Sequence, residues 1–280
     1  MIDIKQALNL GIIQLTPSST TARIDAEVLL TSALGASRSF LYAHAEKRLT
    51  PAQHLTYTQL LDKRRTGIPI AYLTGQREFW SLPLQVSKDT LIPRPETELL
   101  VELALQAFRN TPEAHVLELG TGSGAIALAL ASERPDWQIL AIDKSQAALN
   151  VAKTNAASLG LSSVAFLASD WFTSMPKSLV NMIISNPPYI AEDDVHLNAG
   201  DVRFEPPEAL VSGHDGLNAL KHIIQQGFDY LLPGGLLIVE HGFDQKEAVA
   251  LLFRERGYLD VTCWQDVQGQ DRVSGGWRGL

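Results

Sequence analysis

Four consecutive residues carry the most specific chemical signal in this chain: Asn186-Pro187-Pro188-Tyr189. They follow Asn181-Met182-Ile183-Ile184-Ser185, a short apolar run that reads as a buried strand. Two adjacent prolines fix the backbone and remove two N–H donors. What remains presents acceptors: the Asn186 side-chain oxygen and the Pro187 carbonyl. Two acceptors at fixed separation suit a planar NH2 group, which has two N–H bonds to donate, and Tyr189 offers a flat face for the conjugated group behind that nitrogen. An amide or aromatic amine nitrogen is a poor nucleophile because its lone pair is delocalised. Holding both hydrogens off axis turns the lone pair toward an electrophile such as a sulfonium methyl, and in-line positioning can contribute up to ~7–11 kcal/mol. Such a transfer requires no metal and no covalent intermediate. A plain Asn-Pro turn is the simpler alternative.

Three other strand ends suggest a nucleoside cofactor. Glu118-Leu119-Gly120-Thr121-Gly122-Ser123-Gly124-Ala125-Ile126 places three alternating glycines after a strand, where the backbone can turn tightly and approach a ligand at the next helix N-terminus. Gly120, Thr121, Gly122, Ser123 and Gly124 are therefore candidate cofactor residues. The spacing Gly120-x-Gly122-x-x-Ala125 also satisfies a relaxed dinucleotide fingerprint, so a nicotinamide or flavin cofactor stays open at this point. Asp143 ends the second strand, where a carboxylate can accept both ribose hydroxyls of either cofactor type, or serve as a helix cap. Asp170 and Trp171 end the third; the acid can accept from an adenine amino group and the ring can pack on it, although Trp171 also reads as a core aromatic. Arg94, Glu96 and Thr97 are candidates for the cofactor entrance or for simple packing. Glu240 and His241 end the fifth strand with no spacing that suggests metal ligation.

These groups need a scaffold of strands with their carboxyl ends together. From residue 114 onward strands and helices alternate, with strands at His115–Leu119, Gln138–Ile142, Val164–Leu167, Asn181–Ser185, Leu236–Glu240, Val261–Trp264 and near Val273–Trp277. Helices fall at about 125–133, 146–159, 216–231 and 244–256. That alternation implies an α/β fold with a mostly parallel sheet covered on both faces, where ligands bind at the strand ends near the switch in strand order. Residues 1–75 differ. Ile24, Val28, Leu29, Leu55 and Leu60-Leu61 recur at helical spacings, and Thr50-Pro51 is a cap followed by proline at the first helical position, so four or five helices are expected, one at about 51–65. Residues 76–93 read as a β-hairpin linker broken by Pro83. The expected organisation is thus a helical domain at 1–75, the linker at 76–93, and a Rossmann-like domain at 94–280.

Composition narrows the class. Of the 280 residues, 45% are hydrophobic and 19% charged, as in a core-forming globular chain rather than a disordered one. Cys263 is the single cysteine, which excludes an internal disulfide and fits a reducing compartment. Met1-Ile2-Asp3-Ile4-Lys5-Gln6 lacks the pattern of a secretory leader, and the best apolar stretch, Ala125–Ala131, is too short to span a bilayer. A cytoplasmic protein without membrane association is expected. Residues 1–75 carry eight Lys and Arg against five Asp and Glu, whereas the rest carries 15 against 26. An acidic catalytic part repels a phosphate backbone, which points away from a nucleic-acid substrate.

The chain resembles the amino-methyltransferases with an Asn-Pro-Pro-Tyr signature and, within them, the peptide chain release factor glutamine methyltransferases. The resemblance is carried by Gly75-Gln76-Arg77-Glu78-Phe79-Trp80, Leu91-Ile92-Pro93-Arg94-Pro95-Glu96-Thr97-Glu98, Glu118 to Gly124, Asn186 to Ile190, Arg203-Phe204-Glu205-Pro206 and Gln270-Asp271-Arg272-Val273. It implies a Rossmann-like S-adenosylmethionine-dependent methyltransferase domain with a mostly parallel seven-stranded sheet, a small all-helical N-terminal domain that recognises substrate, and a β-hairpin linker. It implies S-adenosylmethionine as cofactor, S-adenosylhomocysteine as product, and the glutamine of a Gly-Gly-Gln loop in release factors as substrate. By position, Gly120 to Gly124, Asp143, Asp170, Trp171 and Asn186 would bind the cofactor. Asn186, Pro187, Pro188 and Tyr189 would hold the glutamine amide, with Asn186, Pro187 and Tyr189 acting in catalysis. No metal, no nucleic-acid substrate and a monomer are expected. Val273-Ser274-Gly275-Gly276-Trp277 departs from an ordinary strand.

Three rivals remain. An adenine-amino methyltransferase would have to flip its base and would need a basic target-reading region, for which the stretch from Pro188 to Leu236, with Glu192-Asp193-Asp194, leaves little room. A nicotinamide oxidoreductase leaves Asn186 to Tyr189 idle. A binding module with a relict glycine loop has no use for the acceptor loop.

Overall fold

The computed structural model describes residues 2–175 and 178–280; Met1, named in the reading of the N-terminus, lies outside them. The chain forms two compact units, residues 1–76 with 198–204, and residues 77–197 with 205–280.

In the first unit the described residues form five helices: α1 (Ile4–Leu15), α2 (Ala22–Leu34), α3 (Arg38–Ala43), α4 (Pro51–Arg65) and α5 (Ile70–Thr74). Capping boxes start α1 and α4: Asp3 and Thr50 each accept from the amide three residues on, and the glutamine there returns the bond. The core gathers Ile4, Leu15, Leu29, Leu30, Leu41, Leu49, Tyr57 and Leu61. Gly11 is required on α1, because a Cβ there would lie 1.9 Å from the Tyr57 hydroxyl. Ile24 and Leu55, apolar at helical spacing, are exposed instead. Residues 198–204 belong to this unit. Arg64 reaches Asp25 at 2.8 Å and Asp201 at 3.3 Å, and Arg203 donates to the Thr66 carbonyl.

The second unit is built on a seven-stranded sheet of β3 (His115–Leu119), β4 (Gln138–Asp143), β5 (Val164–Ala168), β6 (Val180–Ser185), β7 (Leu231–Glu240), β8 (Leu259–Gln265) and β9 (Asp271–Trp277). The order is β5-β4-β3-β6-β7-β9-β8; the first five run parallel, and β9 pairs antiparallel with β7 and β8. The order reverses between β3 and β6, so the loops after them diverge at the switch point, where such sheets bind ligands. Side chains alternate across the sheet: Val116, Met182 and Ile184 enter one apolar core, Leu117 and Ile183 the other. The first core includes side chains of α6 (Glu98–Ala107) and α7 (Ala125–Glu133), the second those of α9 (Asn218–Tyr230) and α10 (Lys246–Arg256), and α8 (Gln146–Leu159) packs on β4 and β5. Burying each Leu or Ile contributes about 1.5–3 kcal/mol.

The hairpin β1 (Gln76–Phe79) and β2 (Leu82–Gln85) turns on Trp80 and Ser81, both with positive φ. Neither is the Gly or Asn such a turn favours. The conformation is held from outside it: the Trp80 amide donates to Glu98 at 2.7 Å and its indole to Glu133 at 2.8 Å. Phe79 and Leu84 are buried in the first of the two cores.

The stretch Val273-Ser274-Gly275-Gly276-Trp277 lies within β9, in continuous register with β7 but with two irregularities against β8, and its glycines have a packing cause. A Cβ on Gly275 would lie 2.7 Å from Ile238 and 2.9 Å from the Leu237 carbonyl; one on Gly276 would lie 2.8 Å from Tyr258. β7 begins at Leu231, earlier than the apolar run suggests, with a register irregularity against β6. Among the described residues no helix is long and apolar enough to cross a membrane.

Candidate active site

The loop after β3 turns on Gly120, Gly122 and Gly124, all in the left-handed region at φ 72°, 55° and 85°. A β-carbon on Gly124 would meet Leu128 and Ala152 at 3.1 and 3.2 Å, so this glycine lets α7 pack on α8. Asp143, at the end of β4, accepts from the Gly122 amide at 2.9 Å and the Ser145 amide at 2.8 Å. Each carboxylate oxygen so engaged retains a lone pair for a further donor. Ser145, not Asp143, caps α8. Glu118 is fully buried below the loop and accepts from the Thr121 hydroxyl at 2.7 Å and the Ala127 amide at 3.1 Å. Burial pushes its carboxyl up to about 8 against those two bonds, with the Asp143 charge pushing the same way. Trp171 adopts φ 48°, held by the Ser169 hydroxyl donating to its carbonyl, and its ring lies 3.8 Å from where a Gly120 Cβ would be.

These residues surround one cavity of roughly 350 Å³, within the range of small-molecule sites. Gly120, Thr121, Gly122, Ser123, Asp143, Asp170, Trp171, Asn186 and Pro188 line it, joined by Arg94, Thr97 and Glu118. Gly124, Pro187, Tyr189 and Glu96 are not among its lining residues. Its wall mixes apolar surface, glycine backbone and a few carboxylates, which suits a nucleoside carrying a positive centre. A shallower cavity shares Lys144, Asp170, Trp171, Pro188 and Glu208 with it and continues toward Ser212 and His222.

On the β6 side, Ser185 donates to the Leu119 carbonyl at 2.8 Å and so holds the acceptor loop beside the glycine loop. Asn186 Nδ2 donates to Thr97 Oγ1 at 3.1 Å, and Thr97 Oγ1 donates to Glu240 Oε2 at 2.7 Å. The other Glu240 oxygen accepts from the Tyr189 hydroxyl at 3.2 Å. Burial pushes the Glu240 carboxyl up to about 7, opposed by the Thr97 bond and by Arg272. Burial and the Glu240 charge together raise the Tyr189 phenol. His241 lies beside this group: burial lowers its pKa, and its ring spans the Gly242 carbonyl and the Ser274 hydroxyl. Arg94 pairs with Glu205, which also accepts from the Ile92 amide at 3.0 Å. Among the described residues one cluster has metal-ligand spacing, Glu192, Asp193 and His214; all three are exposed, and none lines the cavity.

A glycine loop, a ribose-ready carboxylate and an acceptor loop share one cavity, and sequence comparison decides the family. The methyltransferase small domain model matches residues 96–256 and the PrmC N-terminal domain model residues 6–75. A release factor glutamine methyltransferase of Shewanella oneidensis is 47% identical over 99% of this chain and 97% of its own length. One of Escherichia coli is 49% identical over 92% of this chain and 92% of its own length. The chain belongs to the release factor glutamine methyltransferase family. A solved methyltransferase from Pyrococcus furiosus, at 18% identity, covers 71% of this chain and 90% of its own with a TM-score of 0.54, a likeness of fold.

The sequence named three carboxylates in or behind the cavity but not what they bond: Glu118 lines it, and Glu205 and Glu240 stand behind it. Glu118 stands inside the glycine run, where its burial could have been inferred from the apolar strand before it. Glu205 stands in a segment that carries the family resemblance and Glu240 at a strand end, but nothing local to either names its partner. Each meets its partner across the fold: Glu205 lies 111 residues from Arg94, and Glu240 lies 143 from Thr97.

Proposed function

We propose that this protein transfers a methyl group from S-adenosylmethionine to the side-chain amide nitrogen of the glutamine in the Gly-Gly-Gln motif of peptide chain release factors. The observation that carries the reading is Asn186 lining the same cavity as Gly120–Ser123 and Asp143, in a chain related over nearly its full length to glutamine methyltransferases. When bound, S-adenosylmethionine supplies an electrophilic methyl on a sulfonium centre. Asp143 would accept its ribose hydroxyls, the Gly120–Gly124 loop would approach it closely, and Asp170 and Trp171 would hold the adenine. Asn186 Oδ1 and the Pro187 carbonyl would accept both amide hydrogens of the glutamine, with Pro188 in the cavity wall and the Tyr189 ring, behind it, offering a face to the amide plane. That arrangement turns the amide lone pair out of conjugation and aims it. The helical unit would recognise the folded release factor. We read the protein as a cytoplasmic monomer that uses no metal and no nucleic-acid substrate.

The test incubates purified protein with S-adenosylmethionine and a bacterial release factor, with plasmid DNA and RNA in parallel. Mass spectrometry should find one added methyl on the Gly-Gly-Gln peptide and none on nucleic acid. Methylated adenine would instead assign the acceptor loop to a base, and an unmodified release factor would remove the substrate from this reading.

A further inference from the structure

The hydrogen bonds behind the acceptor loop have a direction. A hydroxyl has one proton to donate, and that of Thr97 goes to Glu240 Oε2 at 2.7 Å. Thr97 Oγ1 therefore meets Asn186 with a lone pair. The Asn186 amide satisfies that lone pair only by turning its NH2 toward Thr97, at 3.1 Å, which leaves its oxygen facing the other way. In its ionised form Glu240 anchors the chain of bonds, because both of its oxygens then act as acceptors, the second from the Tyr189 hydroxyl. Turning the Asn186 amide by half a turn would set oxygen against oxygen at Thr97 and would present a donor where a substrate NH2 also donates. Thr97 and Glu240 are both buried, so water does not readily replace either partner.

We propose that Thr97 and Glu240 are positioning residues that hold the Asn186 amide with its oxygen toward the substrate nitrogen. The inference rests on the function proposed above for the substrate, but the orientation of Asn186 is a property of the protein alone. Thr97 sets the polarity of the contact, and Glu240 sets the polarity of Thr97. The chain of bonds links the start of α6, the β6 loop and the end of β7, three elements distant in sequence. It makes the acceptor pair rigid before any substrate arrives, which is where preorganisation contributes most.

The test compares Thr97→Val, nearly isosteric but without the hydroxyl, with Thr97→Ser, each alone and with Asn186→Ala. Thr97→Val should lower kcat on the release factor about tenfold to a hundredfold through misorientation. It should leave KM for S-adenosylmethionine within about twofold. Thr97→Ser should restore most of the loss. With Asn186→Ala already present, Thr97→Val should cost nothing further, because its effect runs through that amide. A second readout needs no substrate: the Asn186 side-chain NH2 resonances in 15N-labelled protein, identified by their loss in Asn186→Ala. They should shift and exchange faster with solvent in Thr97→Val, and should keep their position in Thr97→Ser. Unmoved resonances, or a Thr97→Val penalty that persists without Asn186, would overturn the positioning role. Moved resonances in a protein that leaves release factor unmethylated would uphold that role and defeat the substrate assignment instead.

Discussion

The two sides of the cavity are built in opposite ways. On the glycine side the bonds are short in sequence: Glu118 to Thr121 spans three residues, Asp143 to Ser145 two, and Gly122 to Asp143 21. On the acceptor side they are long: Asn186 to Thr97 spans 89 residues, Tyr189 to Glu240 51, and Ile92 to Glu205 113. The first side is fixed by one strand-turn-helix and its neighbour. The second exists only once α6, β6, β7 and the loop before α9 have met. The glycine side is therefore a local device that many chemistries can share, and the side that chooses the chemistry is the one assembled from afar.

If the division holds, damage to the two sides should separate in kinetics. The largest effect is expected from Asn186→Ala, which should lower kcat by roughly 10²–10³-fold, the scale for losing one aligned polar group. Circular dichroism should be native-like, and unchanged turnover would break the acceptor reading. Next is Asp143→Ala. It frees the Gly122 and Ser145 amides and removes the proposed ribose acceptor, so the cofactor Kd should rise about tenfold to a hundredfold, for 1–3 kcal/mol. Calorimetry with S-adenosylmethionine checks it; a kcat effect without a Kd effect would blur the two sides.

A smaller effect concerns Glu118. Its carboxyl is held up to about 8, against 4.5 for the free group, so between those pH values the folded protein keeps a proton that the unfolded chain has released. Its contribution therefore favours folding as pH falls from 8 toward 4.5 and is lost as pH rises through 8. Glu118→Gln should flatten the pH dependence of Tm across that window, with roughly 2–4 °C expected per kcal/mol for a chain of this size. Identical Tm profiles would show that Glu118 does not keep a proton in the folded protein across that window. The smallest effect is expected far from the cavity. Serine at exposed Leu10, Ile13 and Leu55 should raise KM about threefold for intact release factor and leave a free Gly-Gly-Gln peptide unaffected, if those residues meet the partner at its interface rim. Equal effects on both substrates would remove the helical unit from recognition.

The same contrast explains what the sequence revealed. The alternation of strands and helices, the glycine loop and Asp143 were legible because their determinants lie within a strand and the turn after it. Asn186 to Tyr189 was legible because two prolines state a backbone conformation outright. Thr97 was visible only as one member of Arg94 to Thr97, and its link to Glu240 was invisible because nothing in either segment names the other. Gly275 and Gly276 looked unlike a strand because their reason is the side chains of Ile238 and Tyr258 on neighbouring elements. Ile24 and Leu55 shared the spacing of the helical core yet face outward, since spacing fixes a face but not which neighbour covers it.

Residues 198–204 give the helical unit a timetable. Arg64 is made early in synthesis, but Asp201, one of its two carboxylate partners, follows 137 residues later. At about 5–20 residues per second that interval is roughly 7–27 s on the ribosome. The N-terminal helices can form as they emerge, yet their last segment arrives only after the glycine loop and acceptor loop have been made. The first part of the chain to appear is thus finished only after most of the chain has been made.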